Sequence, residues 1–245
     1  MGGKPKKDTS HRNQGRCEDV VATIKREILL KQYVPGDALL REELLAKRYG
    51  VSRTMVREAL GVLKTQGYLE SKRGKSGGTF VKNIIESSAM GNLFGDLILM
   101  GSMSINDLLA ARLLIEPEGC RLAAMNASPR DLQKLEDIIQ LVSTESDEIK
   151  KTEANVKFHI QIGKLSGNPF YEMSIRSFMS FTTMFTQKLG SAAVKIHNDS
   201  DHQKILDALK ARDPQLVYEV MYVHVSGMKE NMVSMEKMLR DAHLG

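Results

Sequence analysis

Cysteine is nearly missing from this 245-residue chain: Cys17 and Cys120 are its only two, and no C-x-x-C pair occurs. That excludes a disulfide framework and a cysteine-based zinc site, and it suits a reducing cytoplasm. No apolar run reaches the roughly 18 residues that a membrane span needs. The first residues also lack the apolar core of a signal peptide, so the expected location is cytoplasmic and no membrane partner is expected. Internal repeats are absent, which removes the solenoid architectures. Glycine thins out beyond residue 82, leaving fewer places there for the tight turns of a β domain.

What is present is positive charge concentrated at one end. Residues 1–83 hold 18 Lys and Arg against 9 Asp and Glu, a net of +9, whereas residues 84–245 hold 17 against 21, a net of −4. The first part is the candidate for nucleic acid and the second is not. Lys4, Lys6, Lys7, Arg12 and Arg16, with almost no apolar company, make residues 1–16 read as a disordered basic arm. The length leaves room for two modest domains, expected at 17–82 and 83–245.

Residues 44–81 organise the first of these. A short helix leads into the turn Tyr49-Gly50-Val51-Ser52, and a second helix opens with Arg53-Thr54-Met55-Val56-Arg57. Ser52 is a natural N-cap for it and Gly67 a natural stop. Val56, Ala59 and Leu63 fall on one face, while Arg53, Arg57 and Lys64 share another about a quarter turn away. Arginines in the first turns of such a helix suit major-groove entry, because a guanidinium fork pairs with guanine O6 and N7. Tyr68–Lys72 and Thr79–Val81 then read as strands around the basic, glycine-rich turn Arg73-Gly74-Lys75-Ser76-Gly77-Gly78, a hairpin with Lys72, Arg73 and Lys75 at its tip. Upstream, Val21, Ile24 and Ile28 recur at helical spacing over residues 18–30, a supporting first helix.

These residues carry a resemblance. Val34-Pro35-Gly36-Asp37 with Leu39, Leu45-Ala46, Gly50 to Leu60, Gly67-Tyr68-Leu69 and Gly78-Thr79-Phe80-Val81 are similar to the DNA-binding domain of the GntR family of bacterial transcription regulators. The resemblance implies a winged helix-turn-helix over residues 17–82 that contacts operator DNA through Ser52, Arg53, Thr54, Arg57, Arg73 and Gly74, with Lys75 beside them in the wing. It also marks a departure: the arginine usual early in the second helix of that family falls at Glu43, with Arg41 two residues before it as the candidate substitute.

Beyond residue 82 the spacing predicts helices at 84–99, 104–125, 129–142, 147–165, 169–188, 201–211 and 214–241, with Pro117 kinking the second of them. A run of helices without a convincing strand is expected to form an antiparallel bundle, giving a mainly α protein overall. Asn155 and His159 lie four apart on one helical face, His202 in the first turn of the next-to-last helix, and His224 midway along the last. Taken singly, each is a common packed or surface residue; together, neutral imidazoles on facing helices suit Zn, Ni, Fe or Cu. The many methionines read as core filler.

A second resemblance covers roughly residues 86–238. Asp107 to Arg112, Ile115-Glu116-Pro117-Glu118, Asn155 to His159, Gly167-Asn168-Pro169, Asp201-His202 and His224 look like the FCD effector domain of the FadR-type branch of the same family. The resemblance implies a divalent metal ion (Zn, Ni, Fe or Mn) held at the positions of Asn155, His159, His202 and His224, and a small organic-acid effector whose carboxylate faces Arg112. Asn155 stands where the family has an aspartate, so cation binding is expected to be weaker and the loaded site more positive. The expected function is a homodimeric repressor of palindromic operator DNA, released by its effector, and not an enzyme. Two rivals stand beside it, a direct metal sensor and a metal-dependent hydrolase; against the latter, no Glu or Asp base is evident beside His159.

Overall fold

The computed structural model describes residues 9–74, 77–83, 89–190 and 199–244, and the chain divides into two compact units between Ala89 and Met90. In the first unit, α1 (Thr9–Leu29), α2 (Glu42–Tyr49) and α3 (Arg53–Thr65) precede a hairpin of β1 (Leu69–Lys72) and β2 (Gly78–Val81). Helix α1 starts well before the expected residue 18, so residues 9–16 of the stretch read as an arm belong to a helix. Gly50 ends α2 with φ at 65°, a left-handed conformation that only a residue without Cβ adopts freely. Ser52 then caps α3 by accepting from the Met55 N–H, as its sequence position predicts. Val20, Ile24, Leu45, Val56, Ala59, Leu63, Leu69 and Val81 close the core of this unit. The antiparallel register pairs Leu69 with Val81 and Lys72 with Gly78, so the apolar end of the hairpin sits on the core and the basic end points away along the ladder.

The second unit is all-helical among the described residues: α4 (Ala89–Leu99), α5 (Ile105–Asn126), α6 (Pro129–Thr144), α7 (Glu148–Leu165), α8 (Pro169–Leu189), α9 (Asp199–Ala211), α10 (Pro214–Gly227) and α11 (Lys229–Leu244). Its starts are written locally. Ser104 with Asp107 and Ser128 with Asp131 form capping boxes, and Asp147, Asn168 and Asp213 cap α7, α8 and α10. Helix α5 is the central post, packed by α7, α8, α10 and α11. It runs unbroken through Pro117. Gly163 of α7 makes room for α8, since a Cβ there would lie 3.2 Å from the Glu172 backbone.

One expectation lies partly outside the described residues, and another is corrected. Residues 84–88 of the first expected helix lie outside the described residues, and α4 is described only from Ala89. The long final helix is two: α10 stops at Gly227, and Met228 closes a tighter turn by donating to the Ser226 and Val225 carbonyls before α11 begins. Gly227 is the weak point of that helix, and burial of Met228 and Met232 anchors the turn between the two halves. No helix among the described residues is long and apolar enough to cross a membrane.

Candidate functional site

On the first unit, Arg41, Ser52, Arg53, Thr54, Arg57, Arg73 and Gly74 are all exposed, and Lys75 lies outside the described residues. Ser52 keeps its hydroxyl on the Met55 N–H, so its part is first to start the helix. The two arginines are not free. Arg57 makes a two-pronged contact with Glu42, Nε at 3.2 Å and Nη2 at 2.7 Å, and Arg53 Nη1 lies 2.7 Å from Glu43. Both pairs join α2 to α3. The Glu42 hydrogen bond, with the Arg57 charge, lowers the Glu42 carboxyl and raises the Arg57 guanidinium. Arg41 begins α2 as its N-cap residue without a side-chain cap, its carbonyl accepting from Leu45 N–H at 3.0 Å.

On the second unit, α7, α9 and α10 deliver three histidines to one buried point. His159 Nε2 lies 3.2 Å from His202 Nε2 and 3.2 Å from His224 Nε2, and the three rings offer ligand atoms within 4.8 Å of one another. Their helices place them: α7 buries the face of Ala154, Asn155, Phe158, His159 and Ile162, and His202 stacks on Phe158 with ring centroids 4.3 Å apart. Burial, the largest cause, together with the neighbouring His159 drives the His202 ring well below its ordinary 6.5, and it lowers His224 to about 3. Both rings are therefore neutral at physiological pH and present lone pairs. Asn155, one turn before His159, buries an Oδ1 that has no hydrogen-bond partner among the described residues. A buried carbonyl-type oxygen without a donor costs about 1–3 kcal/mol, and a cation is one group that would satisfy it.

These residues fit a divalent metal ion: three imidazole nitrogens and one amide oxygen, none anionic and all buried. The sequence reading missed a further member. Glu116 of α5 is buried, with Oε2 2.7 Å from His159 Nδ1, so the expectation that no carboxylate stands beside His159 is wrong. The same carboxylate accepts from the Nε of Arg112, one turn earlier on α5. Burial alone would raise the Glu116 carboxyl, and the Arg112 and His159 charges and hydrogen bonds outweigh it, holding it at about 2. Glu116 thus sits against the Nδ1 side of His159, and Nε2 faces His202 and His224. The i,i+4 spacing of Arg112 and Glu116 on one helical face was the available signal.

Arg112 is 1% exposed. Its Nη1 lies 3.4 Å from Met232 Sδ and its Nη2 3.9 Å from Met228 Sδ, weak acceptors for a guanidinium. His224 and Asp201 also line a cavity of about 210 Å³ walled by Leu216, Val220 and Val223, with Lys204 among its lining residues.

Comparison with known proteins places both units. Residues 16–81 match the model of the gntR family of bacterial regulatory proteins and residues 107–227 that of the FCD domain. The chain is 28% identical over 203 residues to the HTH-type transcriptional regulator LutR of Bacillus subtilis, covering 80% of this chain and 91% of that one. It is 29% identical over 218 residues to the Exu regulon transcriptional regulator of Escherichia coli, covering 86% and 82%. A solved Streptococcus agalactiae GntR structure shares the fold with TM-score 0.62 at 23% identity, covering 87% of this chain and 99% of that one.

Proposed function

The chain belongs to the GntR family with an FCD effector domain, and on that premise we propose that it is a homodimeric repressor released from a palindromic operator by a small carboxylate bound at a metal-holding site. A ligand-responsive, DNA-binding transcription regulator is what both matched domains make of it, and it is not an enzyme. The finer reading rests on one observation, the convergence of His159, His202 and His224 beside the unpartnered Asn155 oxygen. Those residues would hold a divalent cation, which when bound supplies a Lewis-acidic position for an anionic oxygen.

Charge selects the ligand class. No candidate donor is anionic, and the cationic side chain of Arg112 is already balanced by Glu116. A loaded site would therefore keep its full positive charge in a dry interior, and the complement to that is an anion small enough to enter. Release from DNA requires that this anion bind one arrangement of the dimer better than another, whatever its absolute affinity. Arg53 and Arg57 would read base edges of each half-site, and two-fold pairing would supply the second half-site.

Elemental analysis of the purified protein, followed by thermal shifts with a panel of small carboxylates, tests the reading. The expected result is bound divalent metal and a carboxylate that stabilises the loaded protein by about 2.7 kcal/mol at 100 times its Kd, with no gain after chelation. Stabilisation by metal with no further gain from any carboxylate would instead favour direct metal sensing. Protein that neither carries nor takes up metal would remove the proposal.

A further inference from the structure

Carboxylates stand among the positive groups of the recognition face, and they are held differently. Glu42 grips Arg57 with both oxygens and is the less exposed of the two, 32% against 62% for Glu43. Glu43 meets Arg53 through one contact of 2.7 Å, with the Arg53 side chain 57% exposed. An ion pair that open to water contributes about 0–1 kcal/mol. Arg53 therefore exchanges it readily for a phosphate or a guanine edge. Once it does, the Glu43 carboxylate is left in the first turn of α2, within reach of the same groove position and without its cation. It cannot face phosphate oxygens, guanine O6 and N7 or thymine O4, because all of these are acceptors too. The amino groups of cytosine N4 and adenine N6 are the donors that the major groove offers, and a carboxylate accepting from cytosine N4 is the natural match.

We propose that Glu43 is a specificity-determining residue of this regulator, a carboxylate that reads an amino-bearing base, cytosine first, beside the base contacted by Arg53. The proposal rests on the DNA-binding reading given above. The Glu43–Arg53 pair has two consequences. On the free protein it neutralises the arginine, so random DNA is held weakly. On the operator it turns a paired contact into two adjacent readings, a guanidinium on a purine edge and a carboxylate on an amino group.

The experiment selects bound duplexes from a fully randomised library with full-length wild type and with Glu43→Ala, and measures the affinity of each for one random-sequence duplex over a salt series. Glu43 is exposed and outside the core, and a thermal melt of both proteins checks that the fold is kept. Wild type is expected to enrich a two-fold motif with an amino-bearing base at one fixed position of each half-site. Glu43→Ala, which has no acceptor to offer a base, should lose the preference at that position alone, bind the random duplex roughly five- to tenfold more tightly near 0.1 M salt, and steepen the salt slope by about one. Tighter random binding with an unchanged motif would overturn the proposal, because Glu43 would then only repel phosphate. An unchanged motif with unchanged random binding would overturn it as well. A wild-type protein that enriches no motif would overturn the DNA-binding reading and the proposal with it.

Discussion

Replacing Glu116 by Gln removes one negative charge from a fully buried cluster while leaving its shape, and the cost can be worked out in advance. The carboxyl is held at about 2 against its ordinary 4.5, chiefly because the Arg112 guanidinium and His159 outweigh the effect of burial. That difference corresponds to about 3 kcal/mol of preference for the charged form. Truncating one partner of a buried ion pair costs about 3–5 kcal/mol, because the other charge stays behind uncompensated. Glu116→Gln is thus expected to destabilise the second unit by about 3 kcal/mol and to lower its Tm by roughly 6–12 °C. The assay is urea and thermal denaturation of chelator-treated protein, so that metal plays no part. Arg112→Met combined with Glu116→Gln removes both charges and should cost at least about 1.5 kcal/mol less than the sum of the single changes. A Glu116→Gln protein within 1 kcal/mol of wild type, or strictly additive changes, would refute the claim that this pair is buried and mutually dependent.

Arg53→Ala should lose roughly 1–3 kcal/mol of operator affinity and relax one position per half-site, read from competition binding, whereas Lys75→Ala should weaken all duplexes alike and flatten the salt slope by about one. Asn155→Asp adds an anionic oxygen to the histidine cluster, so metal should bind more tightly and a carboxylate more weakly; titrations moving in the same direction would count against the site. Acid should unfold the metal-free protein early. His202 and His224 have ring pKa values depressed by burial, so the unfolded chain binds protons that the folded one refuses, and stability falls as pH drops below 6.5 by up to about 1.4 kcal/mol per unit for each ring, with His224 contributing down to about 3. A urea midpoint unchanged between pH 7.5 and pH 5, above the range in which Glu116 titrates, would contradict that.

Local chemistry made much of this architecture legible before the structure. Ser52 caps α3 and Gly50 turns the chain where the sequence placed them, and the helix starts expected at 104, 129, 147 and 214 fall within a residue of those observed. Three histidines on three helices were readable as a cluster chiefly through the FCD resemblance, since helical spacing by itself put only His159 on an otherwise buried face. Glu116 was legible only as the i,i+4 partner of Arg112, since nothing in the sequence says that α5 runs through the centre of the unit and that this carboxylate meets His159 of α7. The pairs Glu42 with Arg57 and Glu43 with Arg53 were hidden for a related reason: they depend on how α2 crosses α3, which periodicity within either helix does not contain. The break at Met228 escaped because apolar spacing continues across it, and only backbone hydrogen bonding reveals the change.

The central claim is that a carboxylate acts on DNA binding through the histidine cluster, and the most direct measurement of it is fluorescence anisotropy of a selected operator duplex. Metal-loaded and chelated protein are each titrated with a panel of small mono- and dicarboxylates. The account predicts that at least one carboxylate releases the duplex from metal-loaded protein and that the same compound has no effect at that concentration on chelated protein. Release that is equally effective without metal, or no release by any carboxylate from protein shown to carry metal, would contradict it.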